Sequence, residues 1–201
     1  MGGPSGPLAR GTGARFGPRS PPSDGGAIGT VDSLSPSGFE ISTGTGLKMK
    51  IATSLSTIYS NGQRSIRAGG IAPGESVIVV GVVAFGAQGR AVTTITAEDV
   101  ILQPAAAVVS AKPAPVQQRG QAAPEQRIGE IPADYVEGGG TVINGPEANK
   151  ATEAALKSEF YQGGLINPVV KQNHGIYECH NLVAGPHHIF VNSDFKVIGA
   201  F

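Results

Sequence analysis

Short segments of alternating apolar and polar residues follow one another between residues 27 and 102. In 39–41 and in 47–51 every second side chain is apolar, which is the period of a half-buried β-strand. Turn residues separate these segments, with Pro, Ser and Gly at 36–38 and Gly, Thr and Gly at 44–46. Close turns between alternating segments predict a β-meander.

A different pattern marks residues 76–83, where a β-branched run is apolar apart from Ser76 and Gly81. Such a run is typical of a central strand buried on both faces, and Gly81 predicts a bulge or a sharp bend. With further strands near 28–34 and 92–102, the segment contains five or six short strands and no helical period. This count predicts a mainly β fold whose first unit is a small OB-like barrel.

Four stretches of this segment carry a likeness to a known family. They are, in order, GTVDSLSPSGFEIST, LKMKIATSLSTIY, IAPGESVIVVGVV and AVTTITAEDVIL. Together they resemble a bacterial domain of unknown function with an OB-like barrel, which is often found in envelope proteins. The resemblance covers residues 27–102. It implies a place in the cell envelope or periplasm, and it implies no catalytic residues.

Gly and Pro are over-represented, with 30 and 15 residues among 201, and their distribution is uneven. Residues 1–26 predict a disordered tail, because Gly and Pro leave too little apolar surface to bury. The tail lacks the apolar stretch of a secretory signal, so we expect a cytoplasmic protein if the given start is the true one. Residues 103–127, rich in Pro, Ala and Gln, predict a semi-extended linker and a domain boundary.

After the linker, residues 128–201 predict a small α+β module with one helix on an antiparallel sheet. Pro146 and Glu147 are typical of the first turn of a helix, and Gly163 and Gly164 end it. At about 70 residues the module has a marginal core, which favours support from the barrel or from a partner. The predicted strands are 165–170, 175–183, 187–192 and 195–198.

All four histidines and the one cysteine of the chain fall in a short stretch of this module. They are His174, Cys179, His180, His187 and His188. Thiolate and imidazole are good ligands for zinc and other divalent transition metals, which makes these five residues the candidate metal ligands. Adjacent strand residues point to opposite faces, so a site would take one of each adjacent pair: Cys179 with His187 or His188 across a hairpin, and His180 with the other.

Two other interpretations of this stretch stay open. The spacing does not match a C-x₂-C followed by H-x₃₋₅-H, which favours Cys179 as a buried small apolar side chain with the histidines at a strand end or turn. A catalytic version would pair Cys179 with a histidine oriented by Glu178 or Asp194. A mid-strand cysteine is poorly placed to become a thiolate, and no complete catalytic motif is present, so we predict no catalytic residue.

A basic strip on the barrel gives a second candidate surface. Its residues are Lys48, Lys50, Arg64 and Arg67. Basic strips bind single-stranded nucleic acid when aromatic residues alternate with the charges, and the barrel offers Phe39, Tyr59 and Phe85. The 15 basic and 15 acidic residues of the chain balance, which argues against a dedicated nucleic-acid binder and favours a solvated face.

The patterns predict a non-enzymatic protein, and the resemblance implies that it is bacterial and acts in binding or in envelope structure. The alternatives are a metal-binding protein that uses the Cys179/His cluster, with zinc or another divalent transition metal, and a binder of single-stranded nucleic acid. A protein or an envelope component is favoured over nucleic acid as the partner. No run of the chain approaches the roughly 20 apolar residues that a transmembrane helix needs.

Overall fold

The computed structural model describes residues 22–61, 64–85, 92–103, 128–131, 135, 139–182 and 186–201. These residues form twelve strands and one α-helix, so the fold is mainly β as predicted. The first six strands are β1 (Ser23–Ser35), β2 (Gly38–Ser42), β3 (Lys48–Ala52), β4 (Ile58–Ser60), β5 (Ser76–Phe85) and β6 (Val92–Leu102). The others are β7 (Ile128–Gly129), β8 (Thr141–Val142), β9 (Leu165–Lys171), β10 (Tyr177–Leu182), β11 (His188–Val191) and β12 (Val197–Ala200), with α1 (Pro146–Leu156) between β8 and β9.

Five strands close a barrel in the order β1-β2-β3-β6-β5-β1. Only the β3–β6 pair among these five is parallel, and β4 adds to the other part of β6. The barrel closes because β1 is long enough to pair with two neighbours. Its first part, from Ser23 to Thr30, pairs with β5, and its second part, from Thr30 to Ser35, pairs with β2. The expected small barrel is therefore confirmed as a closed five-stranded one.

The central strand β5 is buried on both faces, as its apolar run predicts. Val77 and Val79 point into the barrel core, whereas Ile78 and Val80 point into a second core outside it. The pairing of β5 with β6 slips between Val80 and Gly81, which confirms the predicted bulge. A strand with two apolar faces thus supports two layers at once.

The barrel begins earlier than expected, because β1 starts at Ser23 and not at Ala27. Gly25 and Gly26, which resemble tail residues in the sequence, lie buried between neighbouring strands. A Cβ atom at Gly25 would collide with the carbonyl oxygen of Ile166, and one at Gly26 with that of Val79. The glycines of this segment permit close backbone approach, so the predicted boundary at residue 27 is four residues too late.

The rest of the predicted tail and nearly all of the predicted linker lie outside the described residues, at 1–21 and 104–127. Gln103, the first residue of the predicted linker, still belongs to the folded part: its backbone N–H donates to the carbonyl oxygen of Ser76 at 2.9 Å.

The C-terminal segment is one helix on an antiparallel sheet, as predicted. The sheet order is β9-β10-β11-β12-β7, with β8 on part of β9. Pro146 opens α1 after Gly145, and the helix ends at Leu156, before the predicted Gly163. The buried apolar stripe of α1 consists of Ala148, Ala151, Ala155 and Leu156.

No helix in the described part of the chain is long and apolar enough to cross a membrane.

The two segments share one core and one continuous sheet. Gly26 of β1 pairs with Ile166 of β9, which joins the barrel to the C-terminal strands. Asn167 adds to the junction, because its Nδ2 lies within 3.0 Å of the backbone oxygens of Ser23 and Asp24. The second core combines Ile78, Val80 and Ile101 of the barrel with the buried stripe of α1 and apolar residues of the C-terminal sheet. The marginal C-terminal core is thus completed by the barrel.

The shared core predicts that a cavity under α1 weakens the barrel as well. Leu156 is 2 % exposed, and Leu156→Ala should lower the free energy of unfolding by about 2–5 kcal/mol. Hydrogen exchange followed by mass spectrometry should then show reduced amide protection in β5 as well as in α1. Leu55→Ala, at a fully exposed leucine, is the matched control and should change stability by less than about 0.5 kcal/mol. Loss of protection confined to residues 146–201 would contradict the shared core.

Candidate metal centre

Three side chains converge on one face of the C-terminal sheet. Glu178 and His180 are two residues apart on β10, so they point to the same face. His188 is the cross-strand partner of His180 in the β10–β11 pair, and directly opposite residues share a face. The pairing register therefore brings Glu178, His180 and His188 together. We call these three residues the Glu-His-His cluster.

The donor atoms of the cluster are close enough to ligate one ion. Glu178 Oε1 lies 2.5 Å from His188 Nδ1 and 3.4 Å from His180 Nε2, and the three ligand atoms all lie within 4.8 Å of one another. In tetrahedral geometry, Zn–N and Zn–O bonds of 2.0–2.2 Å place neighbouring ligand atoms about 3.3–3.6 Å apart. The Glu178–His180 distance of 3.4 Å fits this spacing, and the Glu178–His188 contact would have to open by about 1 Å.

The cluster is largely removed from solvent. Glu178 is completely buried, His188 is 7 % exposed, and His180 is the member that reaches solvent, with 15 % of its side chain exposed. Aromatic rings cover the His188 side, where Phe201 stacks on the imidazole at 4.8 Å between centroids and Tyr135 packs edge-on against Phe201. Electrostatic interactions inside such a site are stronger than they are in water.

Hydrogen-bond donors hold both oxygens of the Glu178 carboxylate. The Tyr135 hydroxyl donates to Oε1 at 2.7 Å, and Gln172 Nε2 donates to Oε2 at 2.5 Å. Outer partners of this kind orient ligating carboxylates in metal sites. They also fix the carboxylate plane, which leaves Oε1 as the oxygen that faces both imidazoles.

The protonation states of Glu178 and His180 suit metal binding at neutral pH. Burial raises the pKa of Glu178, but the hydrogen bonds from His188 and Tyr135 and the charges of the two imidazoles outweigh it, and the pKa falls below its usual value. Burial lowers the pKa of His180 against the opposing effect of Glu178. An ionised carboxylate and a neutral imidazole are the forms that bind a metal ion.

Cys179, the residue between Glu178 and His180, points to the opposite face. It is fully buried under α1, and its Sγ lies 3.6 Å from the carbonyl oxygen of Ala151. Burial, and to a smaller extent the charge of Glu178, raise the pKa of the thiol well above its ordinary value. The side chain is therefore a protonated thiol in an apolar core, apart from the cluster, and this environment does not favour a nucleophile.

The remaining two histidines of the predicted metal set also lie apart from the cluster. His187 is exposed, just before β11, and His174 lies in the short 3-10 turn Asn173–Gly175 with a φ of 60°. Of the five candidate ligands, the structure brings His180 and His188 together. Glu178, which the sequence suggested only as an orienting residue, is the third member. The signal for it was its spacing of two residues from His180, which on a strand means a shared face.

Two of the four residues of the predicted basic strip on the barrel have acidic neighbours. Lys48 Nζ lies 3.5 Å from Asp32 Oδ2, and Lys50 is paired across the strands with Glu40. Arg64 and Arg67 are exposed between β4 and β5. The barrel aromatics face inward: Phe39 is a buried core residue, and Tyr59 and Phe85 pack against the same core. The two lysines of the strip therefore have acidic neighbours, and the barrel aromatics pack against the core and do not form the row of exposed stacking rings that single-strand binding uses.

No protein-family model, curated protein or solved structure matches the chain.

The pKa shifts of the cluster predict how the stability of the metal-free protein depends on pH. Unfolded His180 takes up its proton near pH 6.5, whereas the folded protein does so only at lower pH. The free energy of unfolding should therefore decrease as the pH drops below 6.5. It should decrease further below pH 4.5, because the folded protein stabilises the ionised form of Glu178 and protonation removes that stabilisation. Urea unfolding in the presence of a chelator, measured from pH 7.5 to pH 4, tests this.

The contribution of His180 can be separated by substitution. His180→Asn should remove the part of the decline that begins near pH 6.5. His187→Asn, at an exposed histidine seven residues further along the chain, is the control and should retain it. An unchanged decline in the His180 variant would show that burial does not lower the pKa of this imidazole.

Proposed function

We propose that this chain is a non-enzymatic binding protein whose C-terminal sheet holds a divalent transition-metal ion through Glu178, His180 and His188. The observation that carries the proposal is the convergence of one carboxylate oxygen and two imidazole nitrogens within 4.8 Å on one largely buried face. A set of two histidines and one carboxylate is a recurrent ligand set for zinc and for iron(II).

The spacing of His180 from Glu178 supports the proposed ion. Its Nε2 lies 3.4 Å from Glu178 Oε1, which is longer than the usual 2.7–3.2 Å of an N–H···O bond. Two ligands of a single ion lie at about this separation. The spacing of His180 from the carboxylate is thus that of co-ligands.

The ligand chemistry selects the class of metal. Two imidazole nitrogens suit zinc, copper, iron and nickel, whereas calcium and magnesium prefer oxygen ligands. Cys179 lies on the other face, so a soft thiolate does not contribute. Zinc is the ion with which the proposal is most simply tested.

We also propose that the barrel is OB-like and that the protein is associated with the cell envelope. This proposal is supported by the order of the four sequence stretches between residues 27 and 102 and by the closed five-stranded barrel that they form. The barrel shares a core with the sheet that carries the Glu-His-His cluster, so we propose that it acts as the support of the metal-binding segment.

Zinc titration of the full-length protein tests the proposed function. After removal of metal with a chelator, the protein should bind one equivalent of Zn²⁺ in competition with a chromophoric chelator. His180→Ala, His188→Ala and Glu178→Gln should each weaken binding by more than about 100-fold, because loss of an outer hydrogen bond alone costs about 10–100-fold. Tyr135→Phe should fall in that smaller range, since it removes one donor to Glu178.

Two variants of neighbouring residues serve as matched controls. His187→Ala and Cys179→Ala remove the other candidate ligands of the same stretch and should bind Zn²⁺ as the unmodified protein does. Circular dichroism establishes that each variant is folded before its affinity is compared. Equal binding by all variants, or no stoichiometric binding by the unmodified protein, would refute the proposed site.

A further inference from the structure

The number of protein ligands leaves part of the coordination sphere of a bound ion to an outside ligand. Among the residues that the structure describes, one group of three side chains has ligand atoms close enough to share an ion. Zinc and related ions take four or more ligands, and protein sites with three side-chain ligands bind water or an exchangeable ligand at the next position. Structural sites, in contrast, are closed by four protein ligands.

Among the residues that the structure describes, the polar neighbours of the cluster do not supply a fourth ligand. Tyr135 and Gln172 each donate a hydrogen bond to an oxygen of Glu178. Cys179 points into the core beneath α1. These three side chains orient the carboxylate or pack the core, so within the described part of the chain the next coordination position is left to a molecule from solution.

The charge of the loaded site selects an anion. One ionised carboxylate and two neutral imidazoles around a divalent ion leave a net charge of about +1 at the centre. Because the cluster is largely buried, this charge is weakly screened by water and attracts a counter-charge strongly. A monoanion brings the centre to neutrality.

The surroundings limit the size and the approach of that anion. Aromatic rings cover the His188 side, where Phe190 and Phe201 stack at 5.7 Å and Tyr135 packs against both. Solvent reaches the cluster at His180, the most exposed of its three members. His180 is therefore the member of the cluster through which a ligand from solution would reach the ion.

We infer that the metal-loaded Glu-His-His cluster binds a small monoanion of the carboxylate type at an exchangeable position on its His180 side. This inference rests on the proposed metal binding and deepens it, because it assigns the class of ligand that the bound ion takes. The site becomes a receptor for a small carboxylate, with the ion as the group that recognises it.

Cobalt substitution tests the inference on the full-length protein. The visible absorption of bound Co²⁺ reports its ligands, and titration of the Co²⁺-loaded protein with acetate should give a saturable shift of these bands. Azide, a second small monoanion, should give a shift as well. Acetamide has the shape of acetate without its charge, and it should bind at least about tenfold more weakly. The His187→Ala variant should respond as the unmodified protein does.

The outcomes separate the two proposals. If Co²⁺ binds in a 1:1 ratio and neither anion changes its spectrum, the exchangeable anion position is refuted while metal binding stands. If acetamide binds as tightly as acetate, the charge argument is refuted. If Co²⁺ does not bind, both proposals fail. Cobalt content measured after desalting distinguishes a true spectral shift from removal of the metal by the anion.

Discussion

The close backbone approach of β1 to its neighbours is the constraint on which the rest of the structure depends. At Gly25 and Gly26 the strand lies so near to Ile166 and Val79 that a Cβ atom would collide with a carbonyl oxygen. This approach lets one strand pair with β5, with β2 and, at Gly26, with β9. Closure of the barrel and attachment of the C-terminal sheet therefore begin in the same few residues.

The attachment has a direct consequence for the cluster. Once β9 is joined to β1, the antiparallel pairing of β9, β10 and β11 fixes which residues face α1 and which face away from it. Cys179 and Ile189 form one cross-strand pair and fill the core, whereas His180 and His188 form the next pair on the opposite face. A slip of one residue would exchange the faces, so the core under α1 holds the histidines in their register.

The sequence predicted the local patterns well and the long-range contacts poorly. Alternation and turn residues were sufficient for the barrel strands, and the run around Val79 correctly predicted a strand with two buried faces. The glycines before Ala27 were misleading, because a flexible tail and a tight strand contact have the same composition. Strand alternation separated Cys179 from His180 in advance, but the pairing of His180 with His188, and the place of Glu178 beside them, depend on a register that periodicity alone does not determine.

Burial of Glu178 also bears on why such a cluster is present at all. Removing a carboxylate from water is costly, and well-packed apolar residues in place of a buried ionic network are often neutral or stabilising. A contribution to stability therefore does not by itself explain why the charged side chain of Glu178 is completely buried. Tyr135 and Gln172 donate to the two carboxylate oxygens, and Oε1 faces both imidazoles, which is the orientation that the proposed ion would use and that a hydrophobic core does not need. Under the proposed metal binding, the cost of burying Glu178 is the cost of a prearranged ligand set.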